Sequence, residues 1–204
     1  AEGHIAKGSA YLFYDWKWKE AYDELQKAIE LNPSAIDAYQ LLGYYYLTMG
    51  QKLKAVEMLE AAEKIDPLSP VISQTLGNMY LFAGRYDEAI MQADKMLDLN
   101  PTMRISIEMK GWATGLKGDW ETALAFFKEV HRLTNHPLKG LIGLGFAYAH
   151  LGQKENALEV IRKMEQRQEQ EPGSVIDPEI AAVSFALGNF DKAFYHIGRA
   201  VDKR

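Results

Sequence analysis

The 204-residue sequence has no cysteine, and this absence excludes disulfide frameworks, thiolate metal sites and cysteine nucleophiles. It has no apolar run of the roughly 18 residues that a membrane-spanning helix needs, and no charged and then apolar leader opens it. Basic residues are not in excess, because 23 lysines and arginines stand against 28 aspartates and glutamates, for a formal net charge of −5. We therefore expect no broad positive field, and predict neither nucleic acid nor a membrane as a partner.

The residues that are abundant are those of a folded protein. Hydrophobic residues make up 48% of the chain and charged residues 25%, which is typical of globular domains and not of disordered chains. No methionine begins the sequence, and a helical pattern starts within its first residues. Both features favour a segment of a longer protein, for which we expect a cytoplasmic location.

A repeat of 34 residues runs along the chain. Its first landmark is an alanine in each of six helical patterns, at Ala21, Ala55, Ala89, Ala123, Ala157 and Ala193. Prolines follow the first three alanines at one fixed distance, at Pro33, Pro67 and Pro101. A turn residue precedes each alanine, at Trp16, Gly50, Gly84, Gly118, Gly152 and Gly188. A small residue lies further upstream, at Ser9, Gly43, Gly77, Gly111, Gly145 and Ala181. Landmarks that share one period indicate a stacked repeat architecture.

Each landmark has a physical reason in a hairpin of two antiparallel helices. Apolar residues on both sides of the turn glycine follow the helical period, as at Leu42 before it and Leu59 after it. Two helices approach closely where both carry small side chains, and Gly43 facing Ala55 is predicted to supply that contact. Pro67 ends the second helix, because proline lacks the amide hydrogen that a continuing helix requires.

The second copy carries the fullest set of marker residues: Tyr39, Leu42, Gly43 and Tyr46, then Ala55, Leu59, Ala62 and Pro67. This pattern closely resembles the signature of the tetratricopeptide repeat, and the resemblance covers the whole chain. It implies an all-α fold, a right-handed α-α superhelix or solenoid of six helix-turn-helix repeats, in a single array over residues 1–204. The predicted repeats span residues 2–35, 36–69, 70–103, 104–137, 138–173 and 174–204.

Two copies depart from this signature. The fourth has Lys110 where leucine is usual and Thr114 where tyrosine is usual, and we expect its hairpin to pack less tightly. The sixth follows a two-residue insertion and the loop 171–174, but residues 187–193 still predict its turn and second helix.

Three segments also resemble the repeat arrays at the C-terminal ends of bacterial multidomain regulators. They are residues 14–21, residues 65–70 and residues 187–194. The resemblance implies a sensory or protein-docking segment that works with an output domain elsewhere in the protein.

In such arrays the first helix of each repeat lines the inner, concave wall, so we predict the binding site there. The predicted groove residues point away from the second helices: Tyr14, Gln40, Tyr44, Gln74, Asn78, Phe82, Glu108, Trp112, Phe146 and His150. Tyr44, Trp112 and Phe146 are the predicted aromatic anchors for an extended peptide or a partner helix. Packing of these rings within the protein is the alternative, since aromatic stripes at helical spacing are often core. Some family members bind a C-terminal carboxylate with lysine, arginine and asparagine on this wall. Of that set the predicted groove positions carry only Asn78, with Gln74 and Glu108 where basic residues would be needed, so we do not expect a carboxylate site.

No catalytic, cofactor or metal site is predicted. The five histidines are scattered over four of the predicted repeats without metal-ligand spacing, and the two that share a repeat, His131 and His136, are five residues apart at a helix end. Gly140, Gly143 and Gly145 lack the lysine and hydroxyl residue of a phosphate loop. A non-catalytic interaction module is thus the favoured function. Two alternatives are a self-association module forming a homo-oligomer, and an enzyme or small-ligand sensor with a pocket between Trp112 and Phe146.

Overall fold

The computed structural model describes residues 1–134, 140–171 and 176–202. These residues form twelve α helices and no β strand, which confirms the predicted all-α class. They divide into two compact units, Ala1–Pro101 and Thr102–Arg204, and each unit contains six of the helices. The single array over residues 1–204 stays a prediction.

The first unit contains three helical hairpins. The pairs are α1 (Glu2–Phe13) with α2 (Trp18–Leu31), α3 (Ile36–Thr48) with α4 (Lys52–Ile65), and α5 (Pro70–Ala83) with α6 (Tyr86–Leu99). The second helix of one hairpin also packs on the first helix of the next, since α2 contacts α3 and α4 contacts α5. Leu25, Leu42 and Leu59 are completely buried between these layers.

The second unit has the same organisation. Its pairs are α7 (Arg104–Leu116) with α8 (Trp120–Arg132), α9 (Leu141–His150) with α10 (Lys154–Gln170), and α11 (Asp177–Ala186) with α12 (Phe190–Asp202). Contacts of α8 with α9 and of α10 with α11 join the hairpins around a core that includes Phe127, Ile161 and Ile180. The six predicted hairpins, including the divergent sixth, are therefore confirmed.

Proline ends the second helix in three hairpins, as predicted. The last helical residues stand two positions before Pro33, Pro67 and Pro101. The residue before each proline leaves the helical conformation, as at Asn32 with φ −145° and ψ 95°, because the proline ring clashes with a helical neighbour. The Asn32 side-chain oxygen then accepts a hydrogen bond from the Ser34 amide at 3.0 Å and fixes the turn.

The turn position before the repeat alanine has a positive φ in all six hairpins. Glycine occupies it in five of them, with φ between 70° at Gly152 and 104° at Gly118. Trp16 occupies it in the first hairpin, at φ 53°, and no other described non-glycine residue has a positive φ. Because a side chain disfavours this region by roughly 1–2 kcal/mol, Trp16 is locally strained.

The small residue of the first helix lies where the two helices of a hairpin cross, as the second hairpin shows. A Cβ on residue 43 would lie 2.1 Å from Leu59 Cδ2, and the Ala55 carbonyl is also close at 3.5 Å. In the first hairpin the corresponding residue is Gly8, which faces Leu25, and the prediction of Ser9 is wrong.

The small residue is Gly8 and not Ser9 because the turn that joins α1 to α2 contains one extra residue. The Lys17 amide bonds to the carbonyl of Tyr11, six residues back, whereas the equivalent Gln51 amide bonds to Tyr46, five residues back. The whole of α1 is therefore displaced by one position relative to the other first helices.

The fourth hairpin is closely packed, so the expectation of looser packing is wrong. A Cβ on Gly111 would lie 2.7 Å from the Phe127 ring, and a Cβ on Gly115 would lie 2.6 Å from the Trp120 ring. A second glycine, one helical turn after the first, thus lets α7 approach α8 despite the unusual Lys110 and Thr114.

Candidate partner-binding surface

The first helices form a continuous surface within each unit, here called the first-helix wall: α1, α3 and α5 in the first unit, and α7, α9 and α11 in the second. Within the first unit α1 contacts α3 and α3 contacts α5, while in the second α7 contacts α9 and α9 contacts α11. Among the described residues of either unit, successive second helices meet through long side chains, as where Gln92 of α6 donates a hydrogen bond to Glu63 of α4 at 2.9 Å, while their backbones stay further apart. The backbones of successive first helices lie closer, which brings their side chains side by side.

A groove of about 480 Å³ lies on this wall between α1 and α3. The residues that line this α1–α3 groove are Glu2, Ile5, Ala6, Ser9, Asp37, Gln40, Leu41 and Tyr44. The groove thus brings together two of the predicted site residues, Gln40 and Tyr44. Its lining also includes two carboxylates, Glu2 and Asp37, and the eight described lining residues include no basic side chain, so the local charge is negative.

Tyr44 lies at one end of the α1–α3 groove. Its ring makes an edge-to-face contact with Phe13, with centroids 6.2 Å apart, and 39% of the residue is exposed. This arrangement leaves ring area available to a partner while the contact with Phe13 limits how far the ring can move.

The other predicted residues of the first unit lie at different depths. Gln74 and Asn78 are half-buried on α5, and Phe82, also on α5, is 54% exposed. Tyr14 lies outside α1, in the turn that follows it, and is 83% exposed. The extra turn residue explains its position, because it moves Tyr14 beyond the last helical residue.

In the second unit, Trp112 and Phe146 contact each other. Their ring centroids are 5.2 Å apart in an edge-to-face arrangement, and Trp112 makes a similar contact at 5.0 Å with the fully buried Phe127. Both rings are half-buried and pack against the core of this unit. Much of the surface of both rings is therefore packed within the protein, as the alternative interpretation predicted. The pocket predicted between them is wrong, because the two rings contact each other and fill that space.

His150 and Glu108 also have intramolecular partners. The His150 ring stacks on Trp120, with centroids 4.1 Å apart and planes 1° from parallel. Glu108 accepts a hydrogen bond from Arg104 at 2.6 Å, one helical turn away on α7. Sequence spacing placed both residues on first helices correctly, but it did not reveal these contacts.

The acidic residues of the α1–α3 groove were missed by the sequence analysis. Glu2 and Asp37 both lie in the first turn of their helices, where carboxylates are common because they interact favourably with the helix dipole. The sequence does contain a signal for them: both carboxylates lie in the first turns of successive first helices, and neighbouring first helices bring their first turns together.

A buried polar cluster at α10, α11 and α12 was also missed. Asp177 is completely buried, and its Oδ1 lies 2.7 Å from Nδ1 of His196, which is 2% exposed. Gln168 donates a hydrogen bond to the other Asp177 oxygen at 2.6 Å, and the His196 Nε2 lies 3.6 Å from Glu165. These contacts join the three helices, so the cluster has a clear structural role.

Among residues 1–134, 140–171 and 176–202, no group of three or more histidine, aspartate or glutamate side chains has an arrangement that would hold a metal ion. His136 lies outside the described residues, as do residues 172–174 of the loop before the sixth hairpin. In the same described part of the chain, no helix is both long and apolar enough to span a bilayer.

Known proteins share sequence with parts of this chain. Residues 24–57 match the family model described as a tetratricopeptide repeat. Superkiller complex protein 3 of Mus musculus is 30% identical over 111 residues, which cover 54% of this chain and 7% of that protein. The chain thus spans a small part of the length of this relative.

Solved structures share the fold over most of the chain. A tetratricopeptide repeat protein from Parabacteroides merdae has a TM-score of 0.68 at 16% identity, covering 99% of this chain and 79% of that one. The pilF protein of Pseudomonas aeruginosa has a TM-score of 0.66 at 19% identity, covering 96% and 87%. Identities this low show a common fold, and none of these names is that of an enzyme.

Proposed function

Because the chain is a tetratricopeptide repeat protein, we propose that its first-helix wall binds a protein partner and that the α1–α3 groove takes an extended segment of it. Family membership supports the general role of an interaction scaffold. The name of the mouse relative, a component of a complex, is in keeping with that role. Docking within a bacterial multidomain regulator stays a prediction.

The lining of the α1–α3 groove supports the chemistry of this segment. Ile5 and Leu41 offer apolar surface, and the Gln40 side chain offers an amide that both donates and accepts hydrogen bonds to a peptide backbone. Glu2 and Asp37 favour a basic residue in the bound segment and disfavour a terminal carboxylate. The occupant is therefore an extended peptide that combines apolar and basic side chains.

Exposure distinguishes the aromatic residues among those predicted for the groove. Tyr44 and Phe82 expose 39% and 54% of their surface, so a partner gains contact area by covering them. Much of the ring surface of Trp112 and Phe146 is already in contact within the protein, because Trp112 packs on Phe127 and the two rings pack on each other. We therefore place the principal anchor at Tyr44, which is exposed and also lines the α1–α3 groove, as Phe82 does not. Trp112→Ala is a poor binding probe because it removes core contacts.

Fluorescence anisotropy with two labelled peptides tests the proposal. Both peptides alternate leucine with a charged residue, which is lysine in one and glutamate in the other. We expect the native chain to bind the lysine peptide at least tenfold more tightly, and Asp37→Asn and Tyr44→Ala each to weaken that binding by roughly tenfold. The control is Leu53→Ala, at a residue that is 66% exposed on α4, outside the first-helix wall.

Equal binding of the two peptides, or unchanged binding by both groove variants, would overturn the proposal. Circular dichroism of each variant at the assay temperature excludes unfolding as the cause of a loss. A peptide that binds the native chain, Asp37→Asn and Leu53→Ala alike would bind outside the α1–α3 groove.

A further inference from the structure

The last helix of the second unit carries an exposed apolar row, here called the α12 stripe: Phe190, Phe194, Ile197 and Val201. These residues follow one another at intervals of four, three and four, which places them on one face of the helix. They are 51%, 65%, 46% and 62% exposed. Phe185 of α11 extends the patch, since it is 58% exposed and its ring contacts Phe190 at 5.2 Å. Large contiguous apolar patches of this kind mark interaction surfaces.

One position of this face, that of Ile197, is covered in every other hairpin. The residue equivalent to Ile197 is 0–1% exposed in all five of them, at Leu25, Leu59, Ala93, Phe127 and Ile161. Four of these helices, α2, α4, α8 and α10, pack against the first helix of the next hairpin within their own unit. Ile197 of the α12 stripe therefore occupies a position that another α helix covers in those four helices, and in α12 it is exposed.

We propose that the α12 stripe pairs with the same stripe of a second copy of this chain, antiparallel and about a two-fold axis. A two-fold interface must be complementary to itself, because each contact occurs twice with the roles exchanged. The intervals of the stripe read the same in both directions, so antiparallel helices bring all four levels into register. Phe190 then lies opposite Val201, and Phe194 lies opposite Ile197, so that each ring faces a smaller aliphatic side chain.

The neighbourhood of the stripe favours close approach of the second helix. Gly198 is exposed beside it, and nothing lies within 4 Å of the position its Cβ would take. The antiparallel arrangement also sets the two helix dipoles in opposite directions, which is the favourable orientation.

Head-to-tail stacking of copies is the competing arrangement, and the other end of the chain does not match it. Helix α3 packs one of its faces against α2. The equivalent face of α1 carries Gly3, Lys7 and Ala10, which are all exposed. Lys7 stands where α3 has the fully buried Leu42. A lysine at the centre of that face would have to be desolvated against the α12 stripe, so the two-fold pairing is favoured.

Sedimentation equilibrium of the full chain over a wide concentration range tests the pairing. We expect the 23.1 kDa chain to reach twice that mass, and Phe194→Glu or Ile197→Glu to weaken dimerisation at least about a hundredfold. Met91→Glu is the matched control, because Met91 is 68% exposed on α6, close to the 65% of Phe194, and lies in the other unit. It should leave the dimer intact.

Single cysteine variants test the orientation, since the chain itself has no cysteine. An oxidised mixture of Phe190→Cys and Val201→Cys should give a disulfide-linked heterodimer, while Phe190→Cys alone should stay largely unlinked. Linking of Phe190→Cys to itself would contradict the antiparallel arrangement. A mass that stays at one chain at all concentrations, or a dimer that survives Phe194→Glu, would overturn the proposal. Dimer loss with unchanged peptide binding would separate this surface from the α1–α3 groove.

Discussion

Gly43 lies so close to Leu59 that a Cβ on residue 43 would come within 2.1 Å of the leucine Cδ2. Leu59 is completely buried, so its side chain has little room to move away. The repeat also carries a small residue at the corresponding position of the other first helices. The absence of a side chain is thus what allows the second hairpin to close.

Gly43→Ala is therefore expected to lower the free energy of unfolding by about 1–3 kcal/mol, the usual cost of overpacking a core. The higher helix propensity of alanine opposes this loss by up to about 1 kcal/mol. Urea denaturation followed by circular dichroism measures the net effect. Gly3→Ala is the control, because nothing lies within 4 Å of that site on α1. A similar shift in both variants would show that crossing distance is not the cause.

Trp16→Gly is expected to raise the free energy of unfolding by about 0.5–1 kcal/mol. Trp16 has φ 53° and is 67% exposed, so glycine relieves backbone strain while little packing is lost. The converse substitution is Gly50→Ala, at φ 72° and with nothing within 4 Å of its Cβ position. It should lower the free energy of unfolding by roughly 1 kcal/mol through strain alone. Thermal unfolding of both variants checks the opposite signs.

The periodic features of the sequence predicted most of the fold, because they recur in every copy. Helices α3, α5 and α7 begin at residues 36, 70 and 104, which are the predicted first residues of their repeats. The prolines and turn glycines carried this information, since each acts on the backbone within a few residues. Local causes of this kind can be identified without knowing the tertiary packing.

Features that depend on a single copy were not predictable. The register of α1 depends on one extra residue in the turn that follows it. Gly8 and Ser9 are adjacent and both small, so residue type alone does not show which of them faces α2. The contact of Trp112 with Phe127 joins α7 to α8, and that of Trp112 with Phe146 joins α7 to α9. Sequence spacing places these rings on helix faces, but it does not determine how much of each ring the neighbours cover.

Asp177 provides the largest expected loss of stability. Asp177→Ala removes the acceptor of Gln168 and the partner of His196 from a site that is completely buried. Breaking such a buried polar pair typically costs about 3–5 kcal/mol. Asp191→Ala, at an exposed residue in the first turn of α12, should cost no more than about 1 kcal/mol through the helix dipole. Urea unfolding of the two variants should therefore differ clearly, and equal losses would contradict a stabilising cluster.

A pH above 10 should remove the contribution of the Tyr46 hydroxyl to stability. Burial, and next a hydrogen bond with Tyr22, raise the pKa of Tyr46 from 10.0 to about 12. Between these values the folded chain keeps a proton that the unfolded chain has lost, so the free energy of unfolding falls as the pH rises. The stabilising effect is fully present below pH 10 and disappears as the pH passes about 12.

Tyr46→Phe tests this dependence, because its stability relative to the native chain can be compared at neutral and at alkaline pH. At pH 7 the variant should be less stable than the native chain by about 0.5–1.5 kcal/mol, because it lacks the hydroxyl hydrogen bond. That difference should shrink as the pH rises from 10 towards 12, since the native chain alone then loses the protonated hydroxyl. Urea midpoints of both proteins at half-unit steps of pH measure the gap. A gap that stays constant over this range would show that the Tyr46 proton does not contribute to stability.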